Sequence, residues 1–242
     1  TSDAVALYPV SANPWRHSAI TVNAGGLGAG MAEGAKVLTN REVAGGYLFS
    51  YQTDLPECYR WIRLLYWKPA AYVLIVDRLR VDREGPFTVG VNWRCAGQLD
   101  VNGNEAAMAL REGRFYIQGS NVLQFDIESN TYPVPGAPTG EPQLMETMLH
   151  ATLDANTHDG EAEVATLLHA VTGSDSPAYH LYDDGEIRMV EGPDETLCFT
   201  GKFGEGDLGI EICQQTKSGS SPSSDYTARA PLQQTENLTP MP

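Results

Sequence analysis

Three apolar runs follow one another between Tyr59 and Cys95: Tyr59–Trp67, Ala71–Val81 and Phe87–Cys95. Lys68–Pro69–Ala70 separates the first two, and Asp82–Arg83–Glu84–Gly85–Pro86 separates the next two. The runs are short, rich in Val, Ile, Leu, Tyr and Trp, and bounded by turn residues, so they predict three strands of an antiparallel meander. Period-two alternation puts Arg60 and Ile62 on one face of the first strand and Trp61 and Arg63 on the other. In the second run Tyr72, Leu74 and Val76 oppose Val73, Ile75 and Asp77. Both of its faces are apolar, which predicts a central strand covered on both sides.

Similar patterns continue along the chain. Ser18–Val22 alternates and reads as a strand; Asn23–Gly30 after it is rich in glycine. That stretch lacks the GK[ST] ending of a phosphate loop, so it predicts a flexible loop or wide hairpin rather than a nucleotide site. Lys36–Ser50 predicts two strands around Gly45–Gly46, and Asp100–Asn104 a turn with an Asn-Gly hairpin signal. Ala106–Leu110, Arg114–Gln118 and Val122–Ile127 read as short strands. Ser129–Gln143 carries Pro133, Pro135, Pro138 and Pro142 and predicts a loop. Leu144–Leu153 and Ala162–Val171 read as strands, with alanine leaving a helix open for either. Tyr179–Tyr182, Glu186–Glu191, Glu195–Phe203 and Leu208–Cys213 complete the set. The fold class is therefore all-β: a large antiparallel β-sandwich of many short strands, with few or no helices, over residues 1–215. From Thr216 the chain turns polar, low in complexity and dotted with proline, which predicts a tail over 216–242.

Composition narrows the function. Of 242 residues 42% are hydrophobic, enough for a core, while 16 Lys and Arg against 31 Asp and Glu give a net charge of −15. That balance argues against a nucleic-acid partner, which needs a basic face. It also fits a strongly sulfated polyanion poorly unless a local basic patch overrides the field. No run of 18 uncharged apolar residues predicts a membrane span. The chain begins at Thr1 without a basic-then-apolar leader pattern, which predicts a fragment or a processed chain. Cys58, Cys95, Cys198 and Cys213 are far apart and form no CxxC pair, so no structural zinc is expected. Three disulfide pairings and a set of free thiols all remain open. The five histidines show no HxH or HExxH spacing, and no GxSxG elbow is present. No metal and no cofactor is expected.

The segments WRHSAITVN (from Trp15), YRWIRLLYWKPAAYVLIVDRL (from Tyr59) and NWRCAG (from Asn92) together resemble the β-rich part of heparinase II/III-type polysaccharide lyases. In that family a His–polar–hydrophobic strand, H-[NS]-x-[VI]-x-[VI], precedes a hairpin carrying an arginine and a [VI]-[VI]-x-D-type motif. The matching residues here are His17, Ser18, Ile20 and Val22, then Arg60, Ile75, Val76, Asp77 and Leu79. The resemblance covers Trp15 to Gly97. It implies a β-sandwich that docks on a helical toroid holding the tyrosine and often an Asn or His of the catalytic set. No helical half of that size is present in this sequence, so independent catalysis is not expected. Some members bind a structural zinc through His and Asp, but Trp93-Arg94 stands where a second ligand histidine would be, and the metal is not carried over.

The implied chemistry is β-elimination on a uronic acid. It needs neutralisation of the carboxylate, a base for the C5 proton and an acid for the leaving O4. His17, between Arg16 and Ser18 beside the glycine-rich stretch, is the candidate catalytic residue. Trp15, Arg16, Arg60 and Trp61 are the candidate substrate-binding residues. Arg63 carries the same charge, while Arg60 reads alternatively as a cross-strand partner of Asp77. Of Trp15, Trp61, Trp67 and Trp93, at least two are expected in the core. The expected partners are an acidic polysaccharide or other glycan and a helical toroid or neighbouring chain, in a periplasmic or secreted location. The alternative is a carbohydrate-binding or assembly module without catalysis.

Overall fold

Tyr72–Val81 (β6) is apolar on both faces, and a computed structural model of the chain shows why. The structure describes residues 20–24, 27–28, 35–55, 59–81, 87–120, 123–132, 144–155, 161–174, 176–184, 187–200 and 211–216. Ile75 and Leu79 of β6 point into one hydrophobic core; Tyr72, Leu74 and Val76 point into a second. The strand lies in a middle layer with a sheet on each side.

Seventeen strands and no helix make up the described residues. The strands before β6 are Ile20–Ala24 (β1), Leu27–Gly28 (β2), Lys36–Val43 (β3), Gly46–Leu55 (β4) and Tyr59–Lys68 (β5). After it come Phe87–Ala96 (β7), Leu99–Asn102 (β8), Glu105–Leu110 (β9), Gly113–Gly119 (β10) and Phe125–Tyr132 (β11). Leu144–Ala155 (β12) and Glu161–Thr172 (β13) are the longest. His180–Asp183 (β14), Ile187–Glu191 (β15), Glu195–Thr200 (β16) and Glu211–Thr216 (β17) end the series. They form an eight-stranded sheet β3-β4-β5-β6-β13-β10-β9-β8, a five-stranded sheet β11-β12-β7-β1-β2 and a four-stranded sheet β14-β15-β16-β17. Every pairing is antiparallel. The all-β sandwich read from the sequence is the fold found, with the eight-stranded sheet as its middle layer.

The first core joins Val89, Val91, Trp93 and Cys95 of β7, Leu149 of β12 and Phe125 of β11 to Ile75, Leu79, Val164, Ile117, Ala106 and Leu99. The second joins Leu48, Ile62, Leu64, Tyr66, Leu74, Val76, Ala165 and Leu167 of the middle sheet to Leu181, Val190, Leu197 and Phe199 of the four-stranded sheet. Polar seams tie the same two layers. Gln118 accepts a hydrogen bond from the Leu181 amide at 3.0 Å, and Ser120 donates to Asp183 at 2.7 Å. Lys68 pairs with Glu195, and Arg188 with Glu163.

The expected three-strand meander holds for its first hairpin only. β5 pairs with β6, but β7 belongs to the five-stranded sheet, and β13 takes the place beside β6. The reason lies in the two strands' faces. β7 places Val89, Val91, Trp93 and Cys95 in the first core and alternates them with Gly90, Asn92 and Arg94, so it has one apolar face rather than two. β13 is apolar on both sides, with Ala162, Val164 and Leu168 in or against one core and Ala165 and Leu167 in the other. A strand of that kind needs two covering layers. The alanines of β12 and β13, which leave a helix open in sequence, lie in strands. The loop expected from Ser129 starts later, because β11 continues to Tyr132, opposite Leu144, and the prolines begin at Pro133. Residues 133–143 and 217–242 lie outside the described residues, while Thr216, where the expected tail starts, is the last residue of β17.

Two hairpin tips carry backbone that glycine would fit better. At the β3–β4 tip Ala44 has φ 50° and Gly45 φ 72°, the two positive values of a type I′ turn. The fully buried Tyr66 donates its hydroxyl to the Ala44 carbonyl at 3.0 Å, holding that tip down. At the β5–β6 tip Pro69 is followed by Ala70 at φ 58°, and the Ala71 amide donates to the Lys68 carbonyl at 3.1 Å. This is a type II turn with alanine where glycine is favoured.

Candidate functional site

On the face of the middle sheet turned toward the five-stranded sheet, burial falls off from β6 to β4. Register places Tyr47 opposite Trp67, Phe49 opposite Leu65, Tyr51 opposite Arg63, and Thr53 opposite Trp61. Trp61 and Leu65 lean on the first core, Phe49 and Tyr51 are half-buried, and Tyr47 and Trp67 are exposed at 47% and 51%. Alternation in β4 therefore lines up Tyr47, Phe49 and Tyr51 beside Trp61 and Trp67 of β5. The rings meet in two groups. Tyr47 and Trp67 stack with centroids 5.6 Å apart at 28°, Phe49 and Tyr51 lie 6.0 Å apart, and Tyr51 meets Trp61 edge-on at 5.9 Å. Asn40 and Glu42 of β3 stand opposite Phe49 and Tyr47 at the edge of this strip.

A buried ion pair anchors the inner end. Arg63 and Asp77 face each other across β5 and β6. The guanidinium donates through Nε to Oδ1 at 2.6 Å and through Nη2 to Oδ2 at 2.9 Å, a bidentate fork. The Trp61 indole N–H donates to the same Oδ1 at 2.8 Å. Arg63 lies over the Trp61 ring at 4.7 Å and near that of Trp93 at 5.5 Å. Burial pushes the Tyr51 phenol above its ordinary range, while Arg63, hydrogen-bonded to it, pulls the other way. Tyr51 thus stays protonated at neutral pH. Asp77 takes up the charge of Arg63, so what this site offers a ligand is chiefly aromatic surface and hydroxyl groups.

The sequence-derived candidates fall in different places. Arg60 and Trp61 are on opposite faces of β5, as alternation requires, so the structure does not bring them together. Arg60 is half-buried and stands opposite Arg80, and the cross-strand partner of Asp77 is Arg63 rather than Arg60. Counting back from the Pro69–Ala70 turn sets that register. Trp61 has its N–H engaged by Asp77 and lies half-buried in the aromatic strip. Trp93 is in the core at 6% exposure, and Trp67 is open. Trp15, Arg16 and His17 lie outside the described residues; β1 begins at Ile20, opposite Val91. Tyr47, Phe49 and Tyr51 were not singled out from sequence. Their signal is the Tyr-x-Phe-x-Tyr alternation of β4 read against Trp61 and Trp67.

A second titratable cluster lies between the middle and four-stranded sheets. His169 stands between Tyr72 and Tyr116 across three strands, stacks on Tyr116 at 5.1 Å and 17°, and meets Tyr179 edge-on at 5.6 Å. It is 2% exposed, and neither ring nitrogen has a hydrogen-bond partner among the described residues. Burial, aided by His180, lowers its pKa to about 4, so it is a neutral packing residue at pH 7. Among the described residues no group of three His, Cys, Asp or Glu side chains converges as a metal site. No described helix is long and apolar enough to cross a membrane.

No protein-family model matches the chain, and no curated protein is similar to it in sequence. Solved structures do match its fold. The heparan sulfate lyase HepC of Pedobacter heparinus superimposes with a TM-score of 0.57 at 13% identity, over 84% of this chain and 30% of that one. A heparinase III gives a TM-score of 0.55 at 14% identity, over 83% of this chain and 29% of that one. A second heparinase III gives 0.56 at 9% identity, over 84% and 30%. At these identities the likeness is one of fold: the chain has the heparinase III-like β-sandwich and spans about 30% of the length of the lyases it matches.

Proposed function

We propose that the chain is the β-sandwich portion of a polysaccharide lyase that cleaves a uronate-containing polysaccharide by β-elimination. A helical toroid supplies most of the reacting groups. The observation that supports this is the fold shared with a heparan sulfate lyase and two heparinase III structures over more than four-fifths of the chain. In the reaction the uronate carboxylate is neutralised and a base removes the C5 proton. The electron pair forms the C4–C5 double bond, and O4 leaves with a proton from an acid. In this reading His17 assists proton transfer or charge neutralisation, and Trp15, Arg16, Arg60 and Trp61 contact the polymer. The chain taken alone is inactive and works outside the cytoplasm. The test is the ultraviolet absorbance of unsaturated uronate, followed with the native polypeptide at its full length. Product from a uronate polymer, lost in His17→Ala, is the expected result. No product from any uronate polymer overturns the lyase reading.

The aromatic strip favours a second reading, a glycan-binding module without catalysis. Tyr47 and Trp67 present exposed, stacked rings of the kind that pack against the C–H faces of sugar rings, and Asp77 neutralises the arginine behind them. Affinity electrophoresis through glycan-containing gels separates the readings. Retardation of the chain that Trp67→Ala abolishes, with no lyase product from the full-length protein, favours the binding module.

A further inference from the structure

Of the three described cysteines, two stand directly opposite each other. Cys198 of β16 and Cys213 of β17 are register partners in adjacent antiparallel strands. Their side chains share a face. Leu197 and Phe199, which flank Cys198, point into the second core, and Ile212, beside Cys213, packs against the same core. Alternation turns both thiols to the outer surface of the four-stranded sheet. Cys213 is exposed and Cys198 half-buried, and both are free thiols. Cys95 differs: it is buried between the sheets, and burial raises its pKa to about 11.

We propose that Cys198 and Cys213 form a cross-strand disulfide that staples the edge strand β17 to β16. Directly opposed Cα atoms of an antiparallel pair lie about 4.5 or 5.5 Å apart, and a disulfide accepts about 4.4–6.8 Å, so the bond closes without moving the strands. Strand β17 needs such a tie, because among the described strands it pairs with β16 alone, and Ile212 is its one described side chain against the core. The oxidant is a small disulfide such as oxidised glutathione. The exposed Cys213 thiolate attacks one of its sulfurs, making a mixed disulfide and releasing one glutathione thiolate. Cys198 then gives up its proton and attacks the Cys213 sulfur, expelling the second. Two protein thiols are oxidised, one small disulfide becomes two thiols, and the two protons end on the glutathione released. Burial and the neighbouring Cys213 raise the Cys198 pKa, and Cys198 is half-buried where Cys213 is exposed, so Cys198 is the less accessible thiol and acts second. The pair closes whether or not the chain is part of a lyase.

The test equilibrates the full chain with oxidised glutathione, blocks remaining thiols and maps the peptides by mass. The expected product is one linked species joining the Cys198 and Cys213 peptides, two hydrogens lighter than the dithiol. Chain entropy for a closed loop of about 15 residues makes its melting temperature about 6–12 °C higher than that of the reduced protein. Cys198→Ser abolishes the link and the response to reductant. Free thiols, stable glutathione adducts at both positions, or a link from either cysteine to Cys58 or Cys95 overturns the pairing. A link that leaves the melting temperature unchanged overturns the stapling role.

Discussion

Asp77 is 1% exposed and takes hydrogen bonds from Arg63 and from the Trp61 indole. Removing it leaves a guanidinium buried without its counter-charge, which costs about 3–5 kcal/mol, far more than an exposed pair is worth. Asp77→Ala is therefore expected to lose that much in urea unfolding, and Arg63→Met with Asp77→Leu to recover part of it. His169 works in the opposite sense, as a base kept neutral. Its folded pKa of about 4 lies below the ordinary 6.5, so the unfolded chain takes up a proton that the folded one refuses. Stability is lost as pH falls from about 6.5 toward 4, by about 2 kcal/mol between pH 7 and pH 5. In His169→Phe that increment should vanish from the difference between urea titrations at the two pH values; an unchanged difference would mean the imidazole does not titrate there. The Arg63–Asp77 pair follows from sequence once the strand register is counted from the turn. The isolation of His169 does not, because its cage draws Tyr179 from across a layer boundary.

Among the elements, the hairpins were the readable part. Tyr59–Trp67, Ala71–Val81 and Phe87–Cys95 match the observed β5, β6 and β7 to within a residue at each end. Local alternation and turn residues decide such strands on their own. What they do not decide is the neighbour: β6 chooses β13 over β7 through the need for two apolar faces, a property visible only when distant strands are compared. The strip of Tyr47, Phe49, Tyr51, Trp61 and Trp67 was half visible for the same reason, since it needs β4 and β5 in register. The turn at Ala70 gives this scale its test. Alanine at φ 58° is strained by about 1 kcal/mol, so Ala70→Gly should stabilise the protein by about 0.5–1 kcal/mol in equilibrium unfolding. A loss of stability would show that the turn relaxes elsewhere. Gly113 gives the converse, because a Cβ there would run into the Val171 carbonyl of the neighbouring strand.

The molecule as a whole is three layers, and at β6 and β13 the middle one is covered on both faces. Leu48, Leu64, Tyr66, Leu74 and Leu167, each at most 1% exposed, depend on the four-stranded sheet for cover. A chain ending at Ser174 would bare that surface, and such patches drive association. It is expected to elute as aggregates in size-exclusion chromatography and to bind a hydrophobic dye; a well-behaved monomer would show that the third layer is dispensable. The pairing pattern also bears on how the protein is made. Strand β6 waits for β13, and β7 for β12, each many tens of residues downstream. While a ribosome is still delivering Glu161–Thr172, Tyr72–Val81 has one edge bare and its Tyr72, Leu74 and Val76 face uncovered. The nascent chain must be kept from its own kind until β14–β17 arrive, which makes the synthesis of His180–Thr216 the step at which folding succeeds or fails.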